Sequence, residues 1–167
     1  MREAEGFREY VTARRGALGR VAYLMSGDRY LAEDLVQTSL TRAWTRWDVV
    51  SRTGNVDAYV HRMLVNAFVS ATRRRWRGEL PAGDGLPDQG QHDPYHGWED
   101  RDTLRAAVRR LPPRQRAVIA LRYYLDRTEV DTAAALGCSV GTVKSQNAKA
   151  IARLRTYLGG AVDAAAA

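Results

Sequence analysis

The chain has 167 residues, 27% of them charged, with a net charge of +7 and a pI near 10.0. That length allows one domain or two small ones, and the single cysteine, Cys138, excludes an intramolecular disulfide and suits a reducing cytosol. No long apolar span or signal-peptide pattern occurs, so a cytoplasmic protein with no membrane partner is expected, and the basic balance points to nucleic acid.

The charge is unevenly placed. Residues 1–78 carry 14 Arg against eight acidic residues, a net +6; residues 79–102 are net −6; residues 103–167 are net +7. Two basic blocks therefore flank an acidic connector.

In the first block, Phe7, Tyr10, Val11, Leu18, Val21, Ala22 and Met25 trace a helical stripe that Ser26-Gly27 stops. A second helix repeats Ala32, Leu35, Val36, Ser39, Leu40, Ala43, Trp44 and Trp47 at i, i+3, i+4. Its opposite face, with Asp34, Gln37, Thr38, Thr41, Arg42 and Thr45, is polar but lightly charged, which suits a protein contact better than a DNA contact. Residues 48–55 read as a loop, and Asn55 caps a third helix with Val56, Tyr59, Val60, Met63, Leu64, Ala67, Phe68 and Ala71 inward. That helix ends in Arg73-Arg74-Arg75-Trp76-Arg77. Two cations would offset the helix dipole; four beside an aromatic residue are enough to hold phosphates and stack a base.

Gly and Pro punctuate residues 78–97, leaving little to bury, so this stretch reads as a flexible linker. Each flanking lobe is small enough to bury only about 60% of its unfolded surface, and docking on a larger partner would stabilise both. His92 and His96, with Asp93 between them, lie in this linker without cysteine support, a poor metal site. His61 sits on a helix flank with no acid or nucleophile beside it. No catalytic constellation, cofactor or metal is expected, and so no enzyme.

The second block adds a helix near residues 103–111, a break at Pro112-Pro113, and a helix carrying Val118, Ile119, Leu121 and Leu125. Residues 128–158 then carry the strongest signal. Thr128 followed by Asp131 opens a short Ala-rich helix, Gly137 ends it, and Ser139 caps a second helix with Val143, Ala150, Ile151, Leu154 and Leu158 on one side. Helix, Gly-containing turn, helix is the helix-turn-helix signature. Ala133 allows close approach, while Val143 and Cys138 fill the wedge. With Val143 inward, Thr142, Ser145, Ala148 and Lys149 point away and Lys144 and Gln146 flank them. Ser145 and Gln146 suit base edges; Lys144, Lys149 and Arg153 suit phosphates. Residues 139–160 contain no acid, unlike an ordinary solvated face, which mixes both signs. The Ala-rich end reads as a frayed tail.

The expected fold is therefore all-α: two small helical domains, residues 1–77 and 103–160, joined by a flexible acidic linker over 78–102. The second is a helix-turn-helix, and residues 161–167 form a disordered tail.

These residues resemble the extracytoplasmic-function sigma factors, small promoter-recognition subunits of bacterial RNA polymerase, and most of all their actinobacterial SigE-like group. The carrying motifs are GDRYLAEDLVQTSLTRAWTRW, NVDAYVHRMLVNAFVSATRRRW and LPPRQRAVIALRYYLDRTEVDTAAALGCSVGTVKSQNAKAIARLR. The resemblance implies that Asp34, Gln37, Thr41 and Arg42 meet the β′ clamp helices of the polymerase core. It implies that residues 51–55, including Arg52 and Asn55, with Arg62, Asn66, Arg73, Arg74 and Trp76, melt and capture the −10 element of promoter DNA. The helix-turn-helix would read the −35 element through Thr142, Lys144, Ser145, Gln146, Lys149 and Arg153, and its domain would meet the β flap. The acidic linker matches a segment that threads the polymerase's RNA path, and an anti-sigma factor is a further implied partner. Many members carry Arg-Leu where this chain has Gln146-Asn147, so their base preference at −35 does not transfer. A stand-alone helix-turn-helix regulator, usually dimeric, would leave the first block and the acidic linker unexplained. A serine recombinase would need strands that residues 1–77 do not suggest.

Overall fold

The computed structural model describes residues 2–76 and 99–166, with side chains over 4–75 and 103–159, and among them every regular element is helical. Four helices precede the connector: α1 (Arg2–Ser26), α2 (Arg29–Thr45), α3 (Trp47–Val50) and α4 (Val56–Trp76). Four follow it: α5 (Glu99–Arg109), α6 (Pro113–Ile119), α7 (Glu129–Leu136) and α8 (Val140–Ala166), with a π-helical turn over Ala120–Tyr124.

The boundaries follow local chemistry. Gly27 ends α1 at φ 67°, a left-handed conformation cheap only for glycine. Asp28 then caps α2, its carboxylate accepting from the N–H groups of Tyr30 and Leu31. Asn55 Oδ1 accepts from Ala58 N at 3.0 Å, opening α4, and Pro113 occupies the first turn of α6. Residues 47–50, expected to divide between a helix end and a loop, instead make a separate helical turn. Burial of Trp47 and Val50 on the first lobe folds it inward. Trp44, expected inward, is 46% exposed, though its ring centroid lies 5.0 Å from that of Phe7.

Two further differences concern the ends of elements. The helix expected from residue 103 begins at Glu99, inside the proposed linker. At the C-terminus, where a disordered tail was expected over 161–167, α8 continues to Ala166. Alanine, the strongest helix former, propagates an existing helix without needing a stripe of its own. The rest of the linker, including His92, Asp93 and His96, lies outside the described residues, as does the side chain of Trp76.

The largest difference is that the two lobes pack on one another. One apolar cluster joins Leu18, Met25, Val36, Leu64 and Phe68 of the first lobe to Ala117, Ala120, Leu121 and Ala135 of the second. Another sets Leu24 of α1 among Val108, Leu111, Ile119, Ala150 and Leu154. Helix α4 thus packs against α1 and α2 and also against α6 and α7. Two small lobes, each short of core, cover apolar surface on each other.

Candidate nucleic-acid interface

The helix-turn-helix is built as its residues dictate. Thr128 Oγ1 accepts from Asp131 N at 3.0 Å, fixing the start of α7. Gly137 turns the chain at φ 65°, and Ser139 Oγ accepts from Thr142 N at 3.1 Å to start α8. Val118, Ala133 and Val143 form the wedge between the helices, with Cys138 packed against them. Lys144, Ser145, Ala148, Lys149 and Arg153 are exposed, and Thr142 and Gln146 half-buried.

Not all of these side chains are equally available. The Thr142 hydroxyl lies 2.9 Å from Ser139 Oγ, and Lys144 Nζ lies 3.9 Å from Glu129 Oε2. Arg153 Nη1 donates to Gln115 Oε1 at 3.2 Å, bracing α8 on α6. Asn147, half of the departure from the family pattern, donates to the Tyr123 hydroxyl at 3.1 Å. The polar edge it adds to α8 is thus partly satisfied from the π-helical turn.

The second group of expected DNA contacts sits on the first lobe. Arg52, Asn55, Arg62, Asn66, Arg73 and Arg74 are all exposed, from the loop after α3 to the last turn of α4. Arg75, in the same cationic run, pairs with Asp28 at 3.4 Å and so ties the end of α4 to the start of α2. Asp34, Gln37, Thr41 and Arg42 are exposed on the outer face of α2. Gln37 Nε2 donates to Glu33 Oε1 at 3.4 Å, and Glu33 is also paired with Arg15.

Beside Asn55 and Arg62 lies a pocket of about 230 Å³. Thr53, Ala58, Tyr59 and His61 complete its first-lobe wall, and Leu121, Arg127, Asp131, Ala134 and Ala135 form the wall from the second lobe. His61, expected on a solvated flank, is only 8% exposed, and its Nδ1 has no hydrogen-bond partner among the described residues. Burial, then the nearby Arg127, lowers its pKa to about 4, with Asp57 pulling the other way and Arg14 adding a little. Asp57 itself pairs with Arg14 at 3.2 Å and accepts from the Tyr10 hydroxyl at 3.0 Å. Burial and that carboxylate raise the Tyr10 pKa. Farther along the seam, Arg116 Nη1 donates to the carbonyl of Met25 at 2.6 Å while its guanidinium lies over the Phe68 ring. Burial and Arg109 lower the Arg116 pKa.

The sequence reading passed over this seam. His61, Leu64, Val65 and Phe68 recur at helical spacing, which was a usable signal for a second buried face on α4. Leu24, next to the expected stripe of α1, was another.

No group of three or more His, Cys, Asp or Glu among the described residues could hold a metal ion, and none of their helices is long and apolar enough to cross a membrane. Comparison with known proteins agrees with the two-lobed plan. The Sigma-70 region 2 family matches residues 10–78, and the Sigma-70, region 4 family matches residues 101–154. The RNA polymerase sigma-E factor of Streptomyces avermitilis is 40% identical over 91% of this chain and 84% of its own length. The homonymous protein of Streptomyces coelicolor is 39% identical over 95% and 89%. Among solved structures, the sigma factor RpoE of Bartonella quintana, in complex with the anti-sigma factor NepR, is similar with a TM-score of 0.76. That match has 31% identity and covers 93% of this chain and 98% of that one. With regions 2 and 4 present in order and close relatives spanning nearly the whole length, the chain belongs to the extracytoplasmic-function sigma factors of the sigma-70 family.

Proposed function

We propose that this chain binds the core of bacterial RNA polymerase and directs it to promoters, supplying address and strand opening while the polymerase performs the chemistry. The observation that carries this reading is the pairing, on one chain, of sigma regions 2 and 4, each displaying exposed cationic side chains. A stand-alone regulator would need only the second.

In this reading α8 enters the major groove at the −35 element. Ser145 and Gln146 meet base edges, Lys149 and Lys144 meet phosphates, and Thr142 is oriented by Ser139. Arg153 both braces α8 and reaches the backbone. Around −10, Arg52 and Asn55 in the loop and Arg62 and Asn66 on α4 capture an unstacked base, whose extrusion costs a few kcal/mol. Arg73, Arg74 and Trp76 hold the adjoining strand. The outer face of α2, with Asp34, Gln37, Thr41 and Arg42, docks on the β′ clamp helices, and the second lobe meets the β flap. Phosphate contacts dominate affinity, so promoter binding falls steeply with salt. An anti-sigma partner fits the same surfaces, as the Bartonella relative is captured by one.

Run-off transcription with purified core polymerase and a genomic promoter library tests the proposal. Discrete transcripts that depend on this chain are expected; a reaction that starts none from any template overturns it.

A further inference from the structure

The lobes that must read two distant promoter elements are docked face to face, and the function in the preceding subsection cannot be carried out in that arrangement. The −35 and −10 elements are about 25 base pairs apart, or about 85 Å at about 3.4 Å per base pair. A compact chain of this length has a radius of gyration of about 15 Å. Helix α8, with 27 residues, is itself only about 40 Å long. Asn55 and Arg62 share one pocket with Arg127 and Asp131 of the second lobe, so the two reading surfaces lie far closer together than the elements they address.

The contact between the lobes is also more than incidental. Leu24 is 3% exposed because the second lobe encloses it, and Leu121 is fully buried in a cluster containing Leu64 and Phe68. Arg116 satisfies the carbonyl of Met25 at the end of α1. The Arg109 guanidinium lies over the Tyr23 ring. Apolar knobs, a charged donor on a helix-end carbonyl and cation–π contacts together make a specific interface.

We propose that this seam is a self-inhibitory latch. In the free chain α6 and α7 close on α1 and α4, keeping the −10-reading loop beside the second lobe and the two readers out of promoter register, and docking on core polymerase draws the lobes apart. The latch rests on the reading that one chain contacts both elements at once. It adds that the free chain is held closed by its own surfaces, without a second protein.

Cross-linking tests it. Ala58 and Ala134 face the same pocket from opposite lobes, and neither is assigned a role in DNA contact. Ala58→Cys and Ala134→Cys, placed in a Cys138→Ala background, are joined with a short bismaleimide that contains a cleavable disulfide. The expected result is that the bridged chain loses at least tenfold in run-off transcription with core polymerase and regains it on reduction. The same chain capped singly with N-ethylmaleimide stays active. In parallel, Leu24→Glu places a charge in the seam and should raise core-free binding of promoter duplex several-fold and increase the radius of gyration in solution scattering. Circular dichroism checks that its helices persist; if they do not, Ala58→Asp at the same seam replaces it. A bridged chain that initiates as well as the capped one overturns the latch. So does a folded seam variant with unchanged radius and unchanged DNA affinity. Failure of the unbridged wild type to initiate would instead overturn the promoter-directing reading, which keeps the two failures apart.

Discussion

The two DNA-reading surfaces of this chain are held in opposite ways. On the second lobe, α8 turns Ser145, Ala148 and Lys149 outward, while its inner side is fixed by Val143, Ala150 and Leu154. On the first lobe, Asn55 and Arg62 border a pocket whose far wall is the other lobe. The −35 reader is thus completed inside its own helix-turn-helix, whereas the −10 reader stands at the seam. Small lobes short of core use each other's apolar faces as a substitute. A residue that belongs by sequence to one reader can therefore owe its environment to the other.

The pH dependence of stability separates the two surfaces most strongly. His61 is buried neutral, with its folded pKa lowered from 6.5 to about 4 by burial and by Arg127, among Arg14 of α1, Asp57 and Arg62 of α4, and Asp131 of α7. The unfolded chain takes up a proton below pH 6.5 and the folded chain does not until about pH 4. The associated stability is therefore full above pH 6.5, declines as pH falls toward 4, and is flat below; the whole window is worth about 3 kcal/mol. Denaturant unfolding of wild type and His61→Gln at pH 7.5 and 4.5 should show the wild type losing that much more than the variant. Equal losses would mean that the seam does not bury this imidazole. Opening the lobes with Leu24→Glu should move the His61 titration, followed by NMR, back up toward 6.5.

Two glycines give a smaller contrast. Gly137 and Gly27 both adopt positive φ, but a Cβ on Gly137 meets nothing within 4 Å, whereas one on Gly27 lies 2.9 Å from Arg109 Nε across the seam. Gly137→Ala should cost about 1 kcal/mol of backbone strain, confined to the helix-turn-helix. Gly27→Ala should cost that and also displace the Arg109 side chain, so a deficit larger than that of Gly137→Ala is expected in thermal unfolding. Equal deficits would show that Arg109 yields freely.

Most of the helices and the whole helix-turn-helix were legible in the sequence, because caps and left-handed glycines are local. Thr128, Gly137, Ser139 and Asn55 each act within four residues of the bond they make. The outward face of α8 followed from placing a single residue, Val143, inward. What stayed hidden was non-local. His61 and Leu24 are buried by partners more than 45 residues away in the chain, across a Gly/Pro-rich connector that argued for independent lobes. The short helix at Trp47–Val50 was missed for a related reason, since ring contacts of Trp47 with Phe7 and Tyr10 of α1 hold it. Periodicity registers one buried face of a helix well, and a second face only weakly.

The smallest expected effect tests the reader that needs no help from the seam. Lys149 is exposed on the outward face of α8, where no described acid pairs with it, whereas Lys144 lies near Glu129. If Lys149 neutralises one phosphate, Lys149→Ala should lower the slope of log K against log salt by about one unit, with a uniform loss across promoter sequences. Lys144→Ala should lower it by less, because its ammonium already faces a carboxylate that must be released first. Titrations of a −35 duplex with polymerase holoenzyme at several salt concentrations read both slopes. A larger change for Lys144 than for Lys149 would mean that α8 lies in the groove rotated toward α7, with Glu129 turned away from the DNA.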